Sequence, residues 1–203
     1  MRLDEEYCLS EYVDLGRLGD NEKVHIVRNQ VNGVIGVRKY VALDLEEIYL
    51  FLKENPNAYI PKIYECIQTD TNLIVIEEYL SGKNLEEMLK EKYFSEKDAA
   101  DIIICLCNAL YPLHHAKMPV ICRDLKAENV ILTNEGEVKL VDFDIARIYQ
   151  PGKSKDTVMM GTQGYAAPEQ FGFGQTDART DIYAMGVLLN YMLVSCLLYT
   201  SPS

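Results

Sequence analysis

Polar and apolar residues alternate from Lys23 to Asn29 (KVHIVRN), and Gly33 to Val41 (GVIGVRKYV) is rich in β-branched residues, so both segments predict strands. Val31-Asn32-Gly33 between them carries the Asn-Gly turn that joins a hairpin. From Leu43 to Glu54 (LDLEEIYLFLKE) the apolar positions recur at helical spacing, and the helix stops before Asn55-Pro56-Asn57. Ile63 to Gln68 and Asn72 to Tyr79 predict a second strand pair. After Ser81-Gly82 the period changes to that of helices. Asn84-Leu85-Glu86-Glu87 opens a short helix with a capping residue and an acidic first turn. Ser95-Glu96-Lys97-Asp98 has the form of a capping box and leads a longer helix to about His115. Short β-rich pieces follow at Val120–Cys122, Asn129–Leu132 and Glu137–Val141, with a turn at Asn134-Glu135-Gly136. Asp142 to Pro168 predicts a loop longer than an ordinary connection, which marks a functional segment. The last helix runs from about Arg179 to Ser195. No internal repeat interrupts this order. The pattern describes an α+β chain, a small β-rich lobe followed by a larger helical one, and predicts a ligand cleft between lobes.

Composition narrows the function classes. Of 203 residues, 48% are apolar and 25% charged, which suits a globular chain with a buried core. Lys and Arg number 20 against 31 Asp and Glu, a formal charge of −11, so nucleic acid is not an expected partner. Six cysteines stand at 8, 66, 105, 107, 122 and 196, none at CxxC spacing and none matched to a histidine at zinc-ligand spacing. They read as reduced thiols of a cytoplasmic protein. The acidic start MRLDEEYCLSEYVD has no apolar stretch of a signal peptide. Ile182 to Tyr199 is apolar enough to suggest a membrane span, but Asn190 interrupts it and the run is short of the ~20 residues a span requires. A buried helix is the expectation, with no membrane association within this chain.

The chemistry concentrates in four ordered segments. They are Arg123-Asp124-Leu125-Lys126-Ala127-Glu128-Asn129, then Asp142-Phe143-Asp144, then Gly161-Thr162-Gln163-Gly164-Tyr165-Ala166-Ala167-Pro168-Glu169, then Asp181-Ile182-Tyr183-Ala184-Met185-Gly186. In these the chain resembles the eukaryotic-type (Hanks-type) protein kinases, and more closely their bacterial Ser/Thr members. The resemblance spans about Tyr12 to Ser195 and rests on the whole series at suitable spacing. It implies a bilobal protein kinase-like α+β fold, with a β-rich N-lobe and hinge over 1–80 and a mainly helical, partial C-lobe over 81–195, truncated after the central C-lobe helix. Residues 196–203 resemble no kinase segment and read as a non-native tail of adapter origin. The truncation predicts that Glu169 lacks its usual arginine partner and that the last helix leaves apolar surface uncovered.

The resemblance implies transfer of the ATP γ-phosphoryl group to Ser or Thr hydroxyls of a protein substrate, with Mg2+. Asp124 then looks like the base for the acceptor hydroxyl, and Lys126 like the group that neutralises charge on the transferred phosphoryl. Thr162 corresponds to the threonine that the family sets against that Asp and Lys. Asn129 and Asp142 match the metal ligands, and oxygen donors of this kind suit Mg2+. Lys39, in the predicted strand Gly33–Val41, resembles the phosphate-anchoring lysine. Its partner is expected on the following helix, Glu47 first and Glu46 second. Gly16 and Gly19 stand where a glycine-rich phosphate loop is expected, with irregular spacing that equally suits a plain turn. Glu78-Tyr79-Leu80 resembles the hinge, where the backbone at Glu78 and Leu80 would meet adenine, and this alignment puts Glu77 behind the adenine pocket.

The chain departs from the family pattern at three places: Cys122 where histidine is usual, Asp144 where glycine is usual, and the sparse glycine loop. A buried thiol fills the space of a structural histidine, whereas a reactive thiol requires a lowered pKa. Asp144 adds charge near the metal ligands. Arg123 is expected to pair with a phosphate on the long loop, at Ser154 or Thr157 before Thr162, unless Ser154 and Thr157 are ordinary solvated residues. His114 and His115 read as packing or capping residues and His25 as an exposed strand residue. The departures leave a nucleotide-binding pseudokinase acting as an interaction module as one alternative. A small-molecule kinase is another, disfavoured by the peptide-holding segment Gly161–Glu169. The substrate, the activating signal and the oligomeric state are not written in the chain.

Overall fold

The hairpin expected at Asn32-Gly33 forms the middle of an antiparallel sheet. The structure is a computed structural model that describes residues 3–19, 22–152, 161–172 and 174–194. The chain divides into two compact units, Met1–Asn57 with Pro61–Leu80, and Ala58–Ile60 with Ser81–Ser203.

The first unit opens with helix α1 (Leu3–Ser10), followed by strands β1 (Tyr12–Arg17), β2 (Val24–Asn29) and β3 (Ile35–Val41). A 3-10 turn at Leu43–Leu45 leads into helix α2 (Glu46–Glu54), and strands β4 (Ile63–Gln68) and β5 (Leu73–Glu78) complete the unit. All five strands form one sheet in the order β1-β2-β3-β5-β4, each neighbour antiparallel. Helix α1 and strand β1 add to the sequence pattern. The alternation of β1 is broken by a bulge between Asp14 and Gly16, where the Asp14 carboxylate accepts the Gly16 N–H at 2.8 Å and Gly16 takes φ 131°. Leu45, Ile48, Tyr49 and Leu52 are buried along one stripe of the 3-10 turn and α2, at the i, i+3, i+4, i+7 spacing that predicts a helix. The helix packs on β4 and ends where Asn55 returns both its backbone and side-chain N–H groups to the Phe51 carbonyl.

The second unit begins with strand β6 (Gly82–Asn84) and helix α3 (Leu85–Glu91), continues into helix α4 (Glu96–His114) and strand β7 (Val120–Ile121), and makes a 3-10 turn at Ala127–Asn129. Strands β8 (Val130–Thr133), β9 (Val138–Leu140) and β10 (Arg147–Ile148), a 3-10 turn at Pro168–Phe171, and helix α5 (Ala178–Val194) follow. Both helix starts read from the sequence carry complete capping boxes, Asn84 with Glu87 and Ser95 with Asp98. The predicted 142–168 loop is less featureless than its length suggests, because β10 pairs antiparallel with β7. A second small sheet runs β6-β8-β9.

Helix α4 packs on α5 and β9, and Leu106, Leu110, Leu140, Leu188 and Met192 are fully buried. The apolar sequence of α5 is thus divided: Val187, Leu188 and Met192 are buried, whereas Ile182, Leu193 and Val194 are exposed, in line with the uncovered apolar surface expected of this helix. Among the described residues no helix is long and apolar enough to cross a membrane. The 196–203 tail and the Ser154 and Thr157 positions lie outside the described residues.

Candidate active site

Between β7 and β8 the chain turns sharply and gathers four candidate residues. Lys126 Nζ donates to Asp124 Oδ2 at 2.6 Å and to Thr162 Oγ1 at 3.0 Å, while the Thr162 hydroxyl donates to Asp124 Oδ1 at 2.6 Å. Asn129 Nδ2 donates to the Asp124 carbonyl at 2.9 Å and to its Oδ2 at 3.1 Å. A carboxylate, an ammonium, a hydroxyl and an amide therefore meet, three from one seven-residue segment and the fourth from 38 residues beyond Asp124.

This arrangement holds an unusual backbone. Among the described non-glycine residues, only Arg123 and Asp142 have positive φ, 67° and 69°. Each such residue costs about 1 kcal/mol or more, and local bonds hold both. Arg123 N–H donates to Asp181 Oδ1 at 2.8 Å, its carbonyl accepts Gln170 Nε2 at 2.8 Å, and its Nε donates to the Ile145 carbonyl at 2.7 Å. Asp181, wholly buried at the start of α5, also accepts the Cys122 N–H at 2.9 Å and lies 2.7 Å from His114 Nε2. His114, expected as a packing or capping residue, thus braces the same carboxylate that holds the 122–123 backbone. Gly161 (φ 153°) packs against Gln170, with no room for a Cβ: one built there would stand 2.6 Å from Gln170 Nε2.

Asp142 reaches its place through the β8–β9 pairing. Val130 is opposite Leu140, and one step on the Val141 N–H donates to the Asn129 carbonyl at 2.9 Å. Asp142 Oδ1 accepts the Asp144 N–H at 3.0 Å. The left-handed conformation falls on Asp142 and not on Asp144, so an aspartate in the position expected for glycine carries no positive-φ strain.

The donor set fits a hard cation that keeps phosphate and water in its shell. The Asn129 amide nitrogen is committed to Asp124, which leaves its oxygen available to a cation, and Asp142 offers a carboxylate. Among the described residues no group of three or more His, Cys, Asp or Glu side chains could hold a metal by itself, and Mg2+ is commonly bound by one or two protein oxygens together with substrate phosphates.

The remaining candidates lie in the first unit. Lys39 stands opposite Val24 on β2 and Val75 on β5. Its ammonium makes an ion pair with Glu77 Oε1 at 2.5 Å. This departs from the expected helix partner: Glu47 is exposed on α2 and Glu46 half-buried. The resemblance puts Glu77 behind the adenine pocket; its contact with Lys39 follows from the β3–β5 register, for which the chain carries no local signal. Gly16 and Gly19 have positive φ and open space where a Cβ would stand. Glu78 is opposite Gly36 at the end of β5, and its carboxylate accepts the Lys62 N–H at 3.1 Å. Leu80 is half-buried at the last residue of the unit.

Burial, reinforced by Asp181, pushes the Cys122 thiol well above its ordinary range. That thiol is fully buried, so it behaves as a small apolar residue rather than a nucleophile. Burial likewise raises Cys66, to about 11. Glu169, expected to lack its arginine partner, accepts the Thr180 hydroxyl at 2.7 Å.

A β-rich first unit, a mainly helical second unit and this loop between β7 and β8 together make an α+β fold of the protein kinase type. Residues 25–203 match the model of the protein kinase domain, and the chain belongs to that family. It is 40% identical over 125 residues to "Probable serine/threonine-protein kinase PknB" of Corynebacterium glutamicum, covering 60% of this chain and 19% of that protein. A probable serine/threonine-protein kinase of Clostridium perfringens is 37% identical over 138 residues, 67% of this chain and 20% of the relative. A mitogen-activated protein kinase kinase of Nicotiana tabacum is 27% identical over 210 residues, 98% of this chain and 58% of the relative. The chain therefore spans from about a fifth to under three fifths of these relatives.

Proposed function

We propose that this chain carries the catalytic domain of a Ser/Thr protein kinase, which transfers the γ-phosphoryl group of ATP to hydroxyls of protein substrates with Mg2+. The observation that carries the reading is the three-way contact of Asp124, Lys126 and Thr162, backed by Asn129. In this reaction a bond forms between the acceptor oxygen and the γ-phosphorus, the bond from that phosphorus to the β-γ bridging oxygen breaks, and ADP leaves. The Asp124 carboxylate takes the acceptor proton. Lys126, fixed beside it, meets the negative charge on the phosphoryl oxygens. Thr162 ties the segment that would hold the acceptor peptide to the base. Mg2+ held by Asn129 and Asp142 would supply charge neutralisation at the phosphates. Lys39 anchors the phosphates from the first unit, Gly16 and Gly19 border them, and the backbone at Glu78 and Leu80 meets adenine. The free thiols of Cys8, Cys66, Cys105, Cys107 and Cys122 favour a reducing compartment such as the cytoplasm.

The test is phosphate incorporation from labelled ATP into the chain and into a Ser/Thr-rich acceptor protein. Asp124→Asn should lower the rate by roughly 10^2 to 10^4. Equal incorporation by wild type and variant would sink the enzyme reading and leave a nucleotide-binding interaction module. Label found only in small molecules would favour a small-molecule kinase.

A further inference from the structure

Lys39 of β3 and Cys66 of β4 both stand opposite Val75 of β5, so these three residues form one row across the sheet. Residues two apart on a strand share a face. Glu77, two beyond Val75, therefore projects on the same side as Lys39, where its carboxylate meets the ammonium at 2.5 Å. Only 13% of the lysine side chain and 8% of the glutamate side chain are exposed. An ammonium so sequestered from water requires a compensating charge, and this one comes from a strand. Strand β5 is bonded on both edges, to β3 and β4, and its neighbouring residues Val75 and Ile76 are fully buried. The carboxylate is thus fixed to the same sheet as the lysine, whereas Glu47 stands exposed on α2.

We propose that Glu77 is a positioning residue for Lys39: a strand-to-strand ion pair presents the lysine to the phosphates of a bound nucleotide. The proposal rests on the nucleotide-site reading above. It ties the phosphate anchor to the sheet through strand β5.

Two measurements on this chain separate the proposal from the reading beneath it. The first needs no nucleotide: Nζ titration of Lys39 by NMR. A nearby carboxylate stabilises the charged ammonium, so Glu77→Gln should lower the Lys39 midpoint and Glu47→Gln should lower it less. The second is calorimetric affinity for MgADP. Glu77→Gln should weaken it roughly tenfold, the scale of one hydrogen bond to a charged group, and Glu77→Asp should recover part of the loss. In a Lys39→Met background, Glu77→Gln should cause no further loss, an outcome that a merely structural glutamate would not give. The proposal is overturned by an unmoved Lys39 midpoint, by a loss in Glu47→Gln as large as that in Glu77→Gln, or by a Glu77→Gln loss that persists without the lysine. A wild-type chain whose Lys39 responds to Glu77 yet binds no MgADP would instead overturn the nucleotide-site reading, and the positioning role with it.

Discussion

At the scale of single residues, similar atoms acquire different chemistry from their surroundings. Cys122 and Cys107 are both thiols, yet one is fully buried beside Asp181 and the other exposed on α4. Burial and a neighbouring carboxylate both disfavour the thiolate, so the Cys122 pKa lies above its ordinary value and the side chain stays protonated at neutral pH. The thiolate is the reacting form. Brief alkylation of the folded protein at pH 7.5 should modify Cys107 and spare Cys122, as read by peptide mass spectrometry; labelling of Cys122 at the Cys107 rate would contradict its burial. The same logic applies to Asp144. A charged residue replaces the expected glycine without backbone strain, because Asp142 carries the left-handed turn.

At the scale of elements, the start of α5 and the loop after β7 are one mechanical unit. Asp181 sits at the first turn of α5, but its carboxylate serves residues 59 and 58 positions earlier, Cys122 and Arg123. The helix thereby sets the backbone on which Asp124 and Lys126 stand. Removing the carboxylate leaves the buried Cys122 N–H and the part-buried Arg123 N–H unsatisfied, at about 1 to 3 kcal/mol for a buried group. Asp181→Ala should therefore destabilise the protein by about 3 kcal/mol in denaturant unfolding, and should lower phosphoryl transfer although no substrate touches it. A loss below about 0.5 kcal/mol, the usual range for surface changes, would show that other bonds carry the loop. Helices α2, α3 and α4 are legible in the chain because their signals are local, capping boxes at Asn84 and Ser95 and an apolar stripe at Leu45, Ile48, Tyr49 and Leu52, whereas α1 is not. Strand β1 was less legible, since its bulge interrupts the period of two. Strand β10, only two residues long, exists only because β7 is there to pair with it.

At the scale of the whole molecule, each of the two units closes around a core of its own apolar residues. The described cysteines are free, and the described residues hold no cluster of carboxylates, thiols and imidazoles of the kind that structural metals need. On the function proposed above, the oxygens of Asn129 and Asp142 would hold a cation that arrives with substrate. Chelation should therefore abolish phosphoryl transfer, added Mg2+ should restore it, and the thermal unfolding midpoint should not change. A midpoint that falls on chelation would reveal a structural metal and contradict this reading.

The sequence alone determined the α+β order of strands and helices, the change of period after Ser81-Gly82, and the ordered segments that mark the protein kinase family. These properties depend on side-chain type, alternation and short-range capping, all of which are written along the chain. Tertiary structure decided who meets whom. It joined Thr162 to Asp124 and His114 to Asp181, made Asp142 rather than Asp144 the left-handed residue, and paired Lys39 with Glu77 of β5. Those outcomes depend on strand register and on contacts between residues tens of positions apart. A one-residue shift of register would put Glu77 on the opposite face of the sheet from Lys39, and spacing along the chain does not reveal that register.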